Sequence, residues 1–147
     1  MGGIGILIMD NSILVAMITV IGGASITYYF TKKQQLEAEW RREKLNHYKV
    51  LFTAISDLAV SGTDKENANQ RFSLATNNIG LVAPQNVIKA LMNFHEEVKF
   101  SNPNPSLENH DRLLKELLLA IRKDIGLSSK DNPDTFVFHL IGSAPKK

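Results

Sequence analysis

The sequence predicts an all-α protein: a single N-terminal transmembrane helix continuing into a stalk, then a small cytoplasmic helical bundle with a short C-terminal extended segment. Three observations lead there. Residues 13–30, ILVAMITVIGGASITYYF, carry no charge, and about 18 apolar residues in a helix cross most of a bilayer. Apolar residues then recur at steps of three or four in four successive stretches, the period of amphipathic helices. Short turn-forming segments separate those stretches, which favours antiparallel neighbours in a bundle.

The charges flanking the apolar stretch orient it. Residues 1–30 hold Asp10 and no Lys or Arg, whereas Lys32, Lys33, Arg41, Arg42 and Lys44 follow closely. That asymmetry puts residues 31–147 in the cytoplasm and the N-terminus outside. A cleaved signal peptide would carry basic residues before a shorter apolar run and small residues at the cut site. Here the order is reversed, and Phe30 is followed by Thr31, Lys32 and Lys33. A soluble helix this apolar all round would need a larger protein to bury it. Asn11 or Ser12 can cap the span, leaving residues 1–12 at the outer interface. A start near Ile4 would instead sink Asp10 into the outer leaflet, where a carboxylate is costly and suggests a role. Within the span, Thr19, Gly23 and Thr27 lie at steps of four with Ala16 nearby. Small residues in that register let a second helix approach closely, so self-association is expected through this face.

Past the span, Leu36, Trp40, Leu45, Tyr48, Leu51, Phe52, Ile55, Leu58 and Ala59 continue a helical period to about Val60. Span and stalk then predict one rod of roughly 70 Å at 1.5 Å per residue. The resulting domain plan is an interfacial segment 1–12, a span 13–30, a basic stalk 31–62 and a helical domain 63–147. Lys32, Lys33, Arg41 and Arg42 are placed to meet anionic lipid headgroups. Trp40 stands roughly 15 Å beyond Phe30, beyond the aromatic belt, and is expected to pack against the stalk's neighbours.

Ser61 and Gly62 should end the stalk, and Thr63 with Glu66 forms a capping box for a second helix through Phe72, Leu74, Ala75 and Ile79 towards Gly80. Pro84 suits the first turn of a third helix, whose arc is Val87, Ile88, Leu91, Met92, Phe94 and Val98. The prolines of SNPNPS, residues 101–106, forbid continuation, and Ser106 can cap a fourth helix. That helix runs through Leu107, Leu114, Leu117, Leu118, Ile121 and Ile125, with Glu108 early, Arg122 and Lys123 late, and Gly126 as its stop. The tail TFVFHLI, residues 135–141, is aromatic and β-branched and reads as extended. It is expected to lie across the bundle, the alternative being strand pairing with another subunit.

Composition limits the chemistry. About 115 residues behind the span suffice for one compact domain. After residue 30 the basic residues exceed the acidic ones only slightly, which predicts no binding of duplex nucleic acid. With no cysteine, disulfides and thiolate chemistry are excluded. No HExxH, nucleophile elbow or phosphate-cradling glycine motif occurs, so neither a metal nor a cofactor nor a catalytic set is expected. His95 falls inside the third helix's apolar arc beside Glu96 and Glu97, with His110 and Asp111 brought near by the fourth helix. A hydrogen-bonded core histidine is expected there rather than a metal or acid-base centre. His47 and His139 have no partner at a useful spacing. Asn77, Asn78 and Gln85, assigned to the core face near the turn GLVAP, could join Arg71 and Lys89 in a ligand or anion site at the third helix's start, where free N–H groups favour negative charge.

Residues 71–98, RFSLATNNIGLVAPQNVIKALMNFHEEV, and residues 113–127, LLKELLLAIRKDIGL, resemble a group of small bacterial membrane-anchored proteins of unassigned function. Their shared features are one N-terminal span, a basic stalk, a helix entered after an A-P or S-D turn, and a final helix closing on an RKD-hydrophobe-Gly element. Here that element is Arg122, Lys123, Asp124, Ile125 and Gly126, with its charges expected simply to end the helix. The resemblance implies a bacterial or prophage origin, hence an inner membrane, and supplies no catalytic residues. The expected function is non-enzymatic: a single-pass protein whose cytoplasmic domain assembles with itself or with a membrane complex. Its rival is an antiphage immunity or superinfection-exclusion effector that senses a ligand such as a nucleotide and rearranges its spans. Gly23→Leu should impair the rival mechanism strongly, whereas a domain recruited by a partner protein should tolerate the change.

Overall fold

The computed structural model describes residues 11–60, 64–127 and 130–141. Among them are four helices and no strand: α1 (Asn11–Ala59), α2 (Lys65–Val82), α3 (Gln85–Val98) and α4 (Leu107–Asp124). The chain divides into two units after Trp40.

The first unit is α1 as far as Trp40. Among the described residues it contains the one helical stretch long and apolar enough to cross a membrane, and none of that stretch is buried within the protein. A soluble core helix would be covered by its neighbours. Three of its hydroxyls are satisfied locally: Thr19 donates to the Val15 carbonyl at 2.8 Å, Ser25 to that of Ile21 at 2.8 Å, and Thr27 to that of Gly23 at 2.9 Å. Each of these three therefore has a partner without water. Asp10 and the rest of the expected interfacial segment lie outside the described residues.

The second unit begins at Arg41 and is the bundle. The expected stalk ending at residue 62 is thereby shortened, because Tyr48, Leu51, Ala54 and Ile55 of α1 are buried in the same core as α2, α3 and α4. Steps of three and four from Tyr48 onward put one apolar stripe on this part of α1. α2 buries Ala68, Phe72, Ala75 and Ile79, α3 buries Val87, Leu91 and Phe94, and α4 buries Leu113, Leu114, Leu117 and Ile121. Leu74, Met92 and Leu107, expected inside, are exposed. Leu74 and Met92 each adjoin a residue that buries instead, Ala75 and Leu91, whereas Leu107 lies in the first turn of α4, which buries nothing before Leu113.

The helix termini follow their side chains. Asp64 rather than Thr63 caps α2, its carboxylate accepting from the backbone N–H of Glu66 at 3.0 Å and of Asn67 at 3.3 Å. A charged acceptor also complements the positive helix end. Thr63, Ser61 and Gly62 fall outside the described residues. α2 passes through Gly80 to Val82, and Pro84 is the residue before α3 rather than part of its first turn. Ser106 caps α4. At the other end Leu127 N–H donates to the Arg122 carbonyl at 2.8 Å and Gly126 N–H to that of Lys123 at 3.2 Å. This is a Schellman closure, and Gly126 takes the required positive φ of 80°. A Cβ added to Gly126 would meet nothing within 4 Å. Gly126→Ala is therefore expected to cost about 1 kcal/mol through backbone conformation alone, a loss that urea unfolding of the full chain would register.

The tail forms no strand among the described residues. Phe136, Phe138 and Leu140 are half-buried while Val137, His139 and Ile141 are exposed, the two-residue alternation of extended backbone. Phe138 and Leu140 pack on the core, so the segment lies across the bundle.

Candidate functional site

Three clusters in the bundle unit carry polar chemistry. The first is a groove of about 360 Å³ between residues 49–57 of α1 and 71–78 of α2. Its floor is Ala54 and Ala75, which are buried, and its walls include Val50 and Leu74, which are exposed. Small alanines opposite each other leave the space. Lys49, Asp57, Arg71 and Asn78 form the rim, and Arg71 Nε donates to Asp57 Oδ2 at 3.0 Å. The only hydroxyl in the lining, Thr53 Oγ1, donates to the Lys49 carbonyl at 2.9 Å.

Of the five residues expected to make an anion site, Arg71 and Asn78 are thus brought to one groove, and Asn77, Gln85 and Lys89 lie outside its lining. Arg71 is about 16 Å from the end of α2 at 1.5 Å per residue, too far to join the start of α3. Asn77, Asn78 and Gln85 are exposed and not on the core face. Ala75 and Ile79 take those inward positions, leaving the two asparagines on the outer arc.

The second cluster joins the tail to α4. Asp111 receives the His139 ring at 2.7 Å and the His110 ring at 3.2 Å, both through Nδ1. The hydrogen bond from His139, then that from His110, holds the Asp111 carboxyl below its usual range. His139, expected to lack a partner, has one because the extended tail returns over α4. His110 also meets the Phe94 ring edge-on at 5.3 Å. His95 differs from its expectation: its side chain is 42 % exposed, and its ring stacks on Phe72 at 6.1 Å instead of being enclosed and hydrogen-bonded. Among the described residues no group of three His, Asp or Glu side chains is arranged to hold a metal.

The third cluster centres on the α4 C-terminus. Arg122 grips Asp131 with two bonds, Nε to Oδ2 at 2.7 Å and a terminal nitrogen to Oδ1 at 3.0 Å, and its guanidinium lies 5.7 Å from the Phe136 ring centre. The bond to Asp131 raises the Arg122 pKa and lowers that of Asp131. Asp124 accepts from Lys44 Nζ at 2.9 Å and from Tyr48 Oη at 2.6 Å. Burial, reinforced by the Asp124 bond, pushes the Tyr48 phenol well above its ordinary value. Arg122 and Asp124 therefore do more than end a helix. Spacing within α4 could not reveal this, since their partners lie in the tail and in α1.

In the first unit, Thr19 and Thr27 spend their hydroxyls on their own helix, and Gly23 has nothing within 4 Å of an added Cβ. Lys32 reaches back to Tyr28, 3.5 Å from its hydroxyl. Lys33, Arg41 and Arg42 are exposed. Trp40, expected to be packed, is 52 % exposed.

No family model matches the chain, no curated protein matches it, and no solved structure matches it.

Proposed function

We propose that this chain is a non-enzymatic, single-pass protein of a bacterial inner membrane whose cytoplasmic helical domain assembles with itself or with a membrane complex. One observation carries the reading: an uncovered apolar helical stretch of spanning length shares a chain with a bundle that closes a core of its own. An apolar stretch of that size left in water would drive aggregation, and lipid is the solvent that matches it. The mechanism is positional. Anchoring confines the domain to two dimensions and raises its effective concentration around other membrane-held proteins. Lys32, Lys33, Arg41 and Arg42 supply the inward bias and the contact with anionic headgroups.

The groove holding Arg71 and Asn78 favours a second reading, in which a small anionic ligand displaces Asp57 from Arg71 and shifts the domain between two states. That is the chemistry an immunity or exclusion effector would need.

The test uses the full chain in bacterial membranes. After an alkaline carbonate wash it should stay in the pellet, and a C-terminal tag should resist external protease in intact spheroplasts. Recovery in the soluble fraction would overturn anchoring; cleavage of the tag would overturn the orientation. The mass of the lipid-extracted protein then separates the readings. A stoichiometric foreign subunit makes it a complex component, whereas a homo-oligomer whose response is abolished by Gly23→Leu supports the ligand-driven effector.

A further inference from the structure

Beyond the apolar stretch, α1 continues through TKKQQLEAEW, residues 31–40, a polar run interrupted by Leu36 and Trp40. Both are left uncovered, 58 % and 52 % exposed. They are four residues apart and so share one face. Followed back towards the N-terminus by alternate steps of four and three, that face reads Lys33, Tyr29, Ile26, Gly22, Thr19 and Val15. A seam repeating every seven residues is the pattern of two helices winding around each other. With Lys33 and Trp40 at a and Tyr29 and Leu36 at d, the outer positions Thr31, Gln34, Gln35 and Ala38 are polar or small.

We infer that this face is a parallel pairing surface for a second copy of the same chain, from Val15 to Trp40. The inference deepens the proposed assembly function and rests on its membrane anchoring. Charge decides the partner. In a parallel pair a g position meets the e position five residues on in the other helix. Lys32 at g therefore faces Glu37 at e of the second copy, and the symmetric contact repeats the match. Within one chain neither Lys32 nor Glu37 has an ion-pair partner among the described residues, while Arg71, Arg112 and Arg122 do. Two copies inserted in the same orientation are necessarily parallel, so the bilayer supplies the arrangement the charges require. A lone lysine at an a position favours two strands, because its ammonium escapes sideways from a pair. The seam stops where the bundle starts: the next d residue is Glu43, and the next matching cation, Lys44, is already held by Asp124 at 2.9 Å.

This seam is not the face of Ala16, Gly23 and Thr27. Those residues lie roughly 100° around the helix from Gly22, Ile26 and Leu36 at 100° per residue, with Thr19 at the shared margin.

The chain has no cysteine, so single replacements report pairing without background. Cysteine is introduced singly at positions 15–40 of the full-length protein in native membranes, and symmetric cross-linking is followed with a short bismaleimide. Yields should peak for Gly22→Cys, Ile26→Cys, Tyr29→Cys and Leu36→Cys, about fivefold or more above Thr31→Cys and Ala38→Cys at the outer f positions. In the Leu36→Cys background, Lys32→Glu and Glu37→Lys should each reduce the dimer about threefold or more, and the double exchange should restore it. Restoration cannot come from a misfolded protein. A flat or absent profile, a maximum on Ala16, Gly23 and Thr27, or failure of the double exchange to restore pairing overturns the seam. All three can occur with the protein still in the washed membrane pellet, so they leave anchoring standing, whereas failed anchoring shows as soluble protein.

Discussion

Replacing Phe94 by alanine is expected to remove about 3–5 kcal/mol from the bundle. Phe94 is fully buried in α3 and is the meeting point of three helices. Phe72 of α2 approaches its ring edge-on at 6.4 Å, and His110 of α4 does so at 5.3 Å. The loss combines the transfer energy of a large aromatic side chain with the cost of the cavity that the surrounding helices cannot fully close. Small domains are stable by only about 5–15 kcal/mol, so much of the margin would go. Urea unfolding of the full chain in lipid nanodiscs, followed by circular dichroism, should reveal a much lower midpoint with helicity of the apolar N-terminal stretch retained. Phe94→Leu should lose far less. A midpoint that moves by less than the Gly126→Ala variant's would mean that α3 does not present this face to the core.

The interior of each helix was legible because burial imposes a period. Val87, Leu91 and Phe94, or Leu114, Leu117 and Ile121, repeat at three or four and are buried, and the caps at Ser106 and Gly126 are local chemistry with local signatures. Errors arose where two residues compete for one role. Thr63 and Asp64 can both cap α2, and the aspartate also answers the helix dipole. Leu74 and Ala75 are adjacent, and it is the smaller one that is buried, on the floor of the groove between α1 and α2, while Leu74 stands exposed in its wall. The point at which α1 joins the core is hidden for a different reason. A continuous helix has no turn residue to announce that its second part, from Tyr48 on, has become one wall of a core.

Site geometry was less legible, because ion pairs are long-range. Asp124 with Lys44, Arg122 with Asp131 and His139 with Asp111 depend on how helices and tail pack, and no spacing rule connects residue 44 to residue 124. Helix rise separates the residues of the expected anion site. Arg71 sits three turns from the end of α2, where Asp57 of α1 neutralises it. Conversely, the exposed Leu36 and Trp40 were visible in the sequence as helical-period residues. Only their lack of cover within the chain turns them into a question about a partner.

Asp124→Ala should be the most damaging of the polar substitutions, at about 2–3 kcal/mol. The Lys44 and Asp124 side chains are 16 % and 10 % exposed, and Tyr48 is buried with its hydroxyl donated to the same carboxylate at 2.6 Å. Removing the carboxylate strands an ammonium and a phenol together, which costs more than either bond contributes when intact. Tyr48→Phe deletes one donor and leaves Lys44 to satisfy the acid, so about 1 kcal/mol is expected. The same geometry fixes a pH dependence. Burial first, and the bond to Asp124 second, raise the folded-state pKa of Tyr48. Its contribution is therefore complete below the unfolded tyrosine value of about 10 and is withdrawn as pH climbs from there towards the raised value. Urea midpoints measured in steps from neutral pH to strong alkali should fall more steeply above about 10 for the wild type than for Tyr48→Phe. Equal alkaline slopes would show that the phenol carries no such linkage, while a near-neutral Asp124→Ala variant would remove the strut between the first and last helices of the bundle.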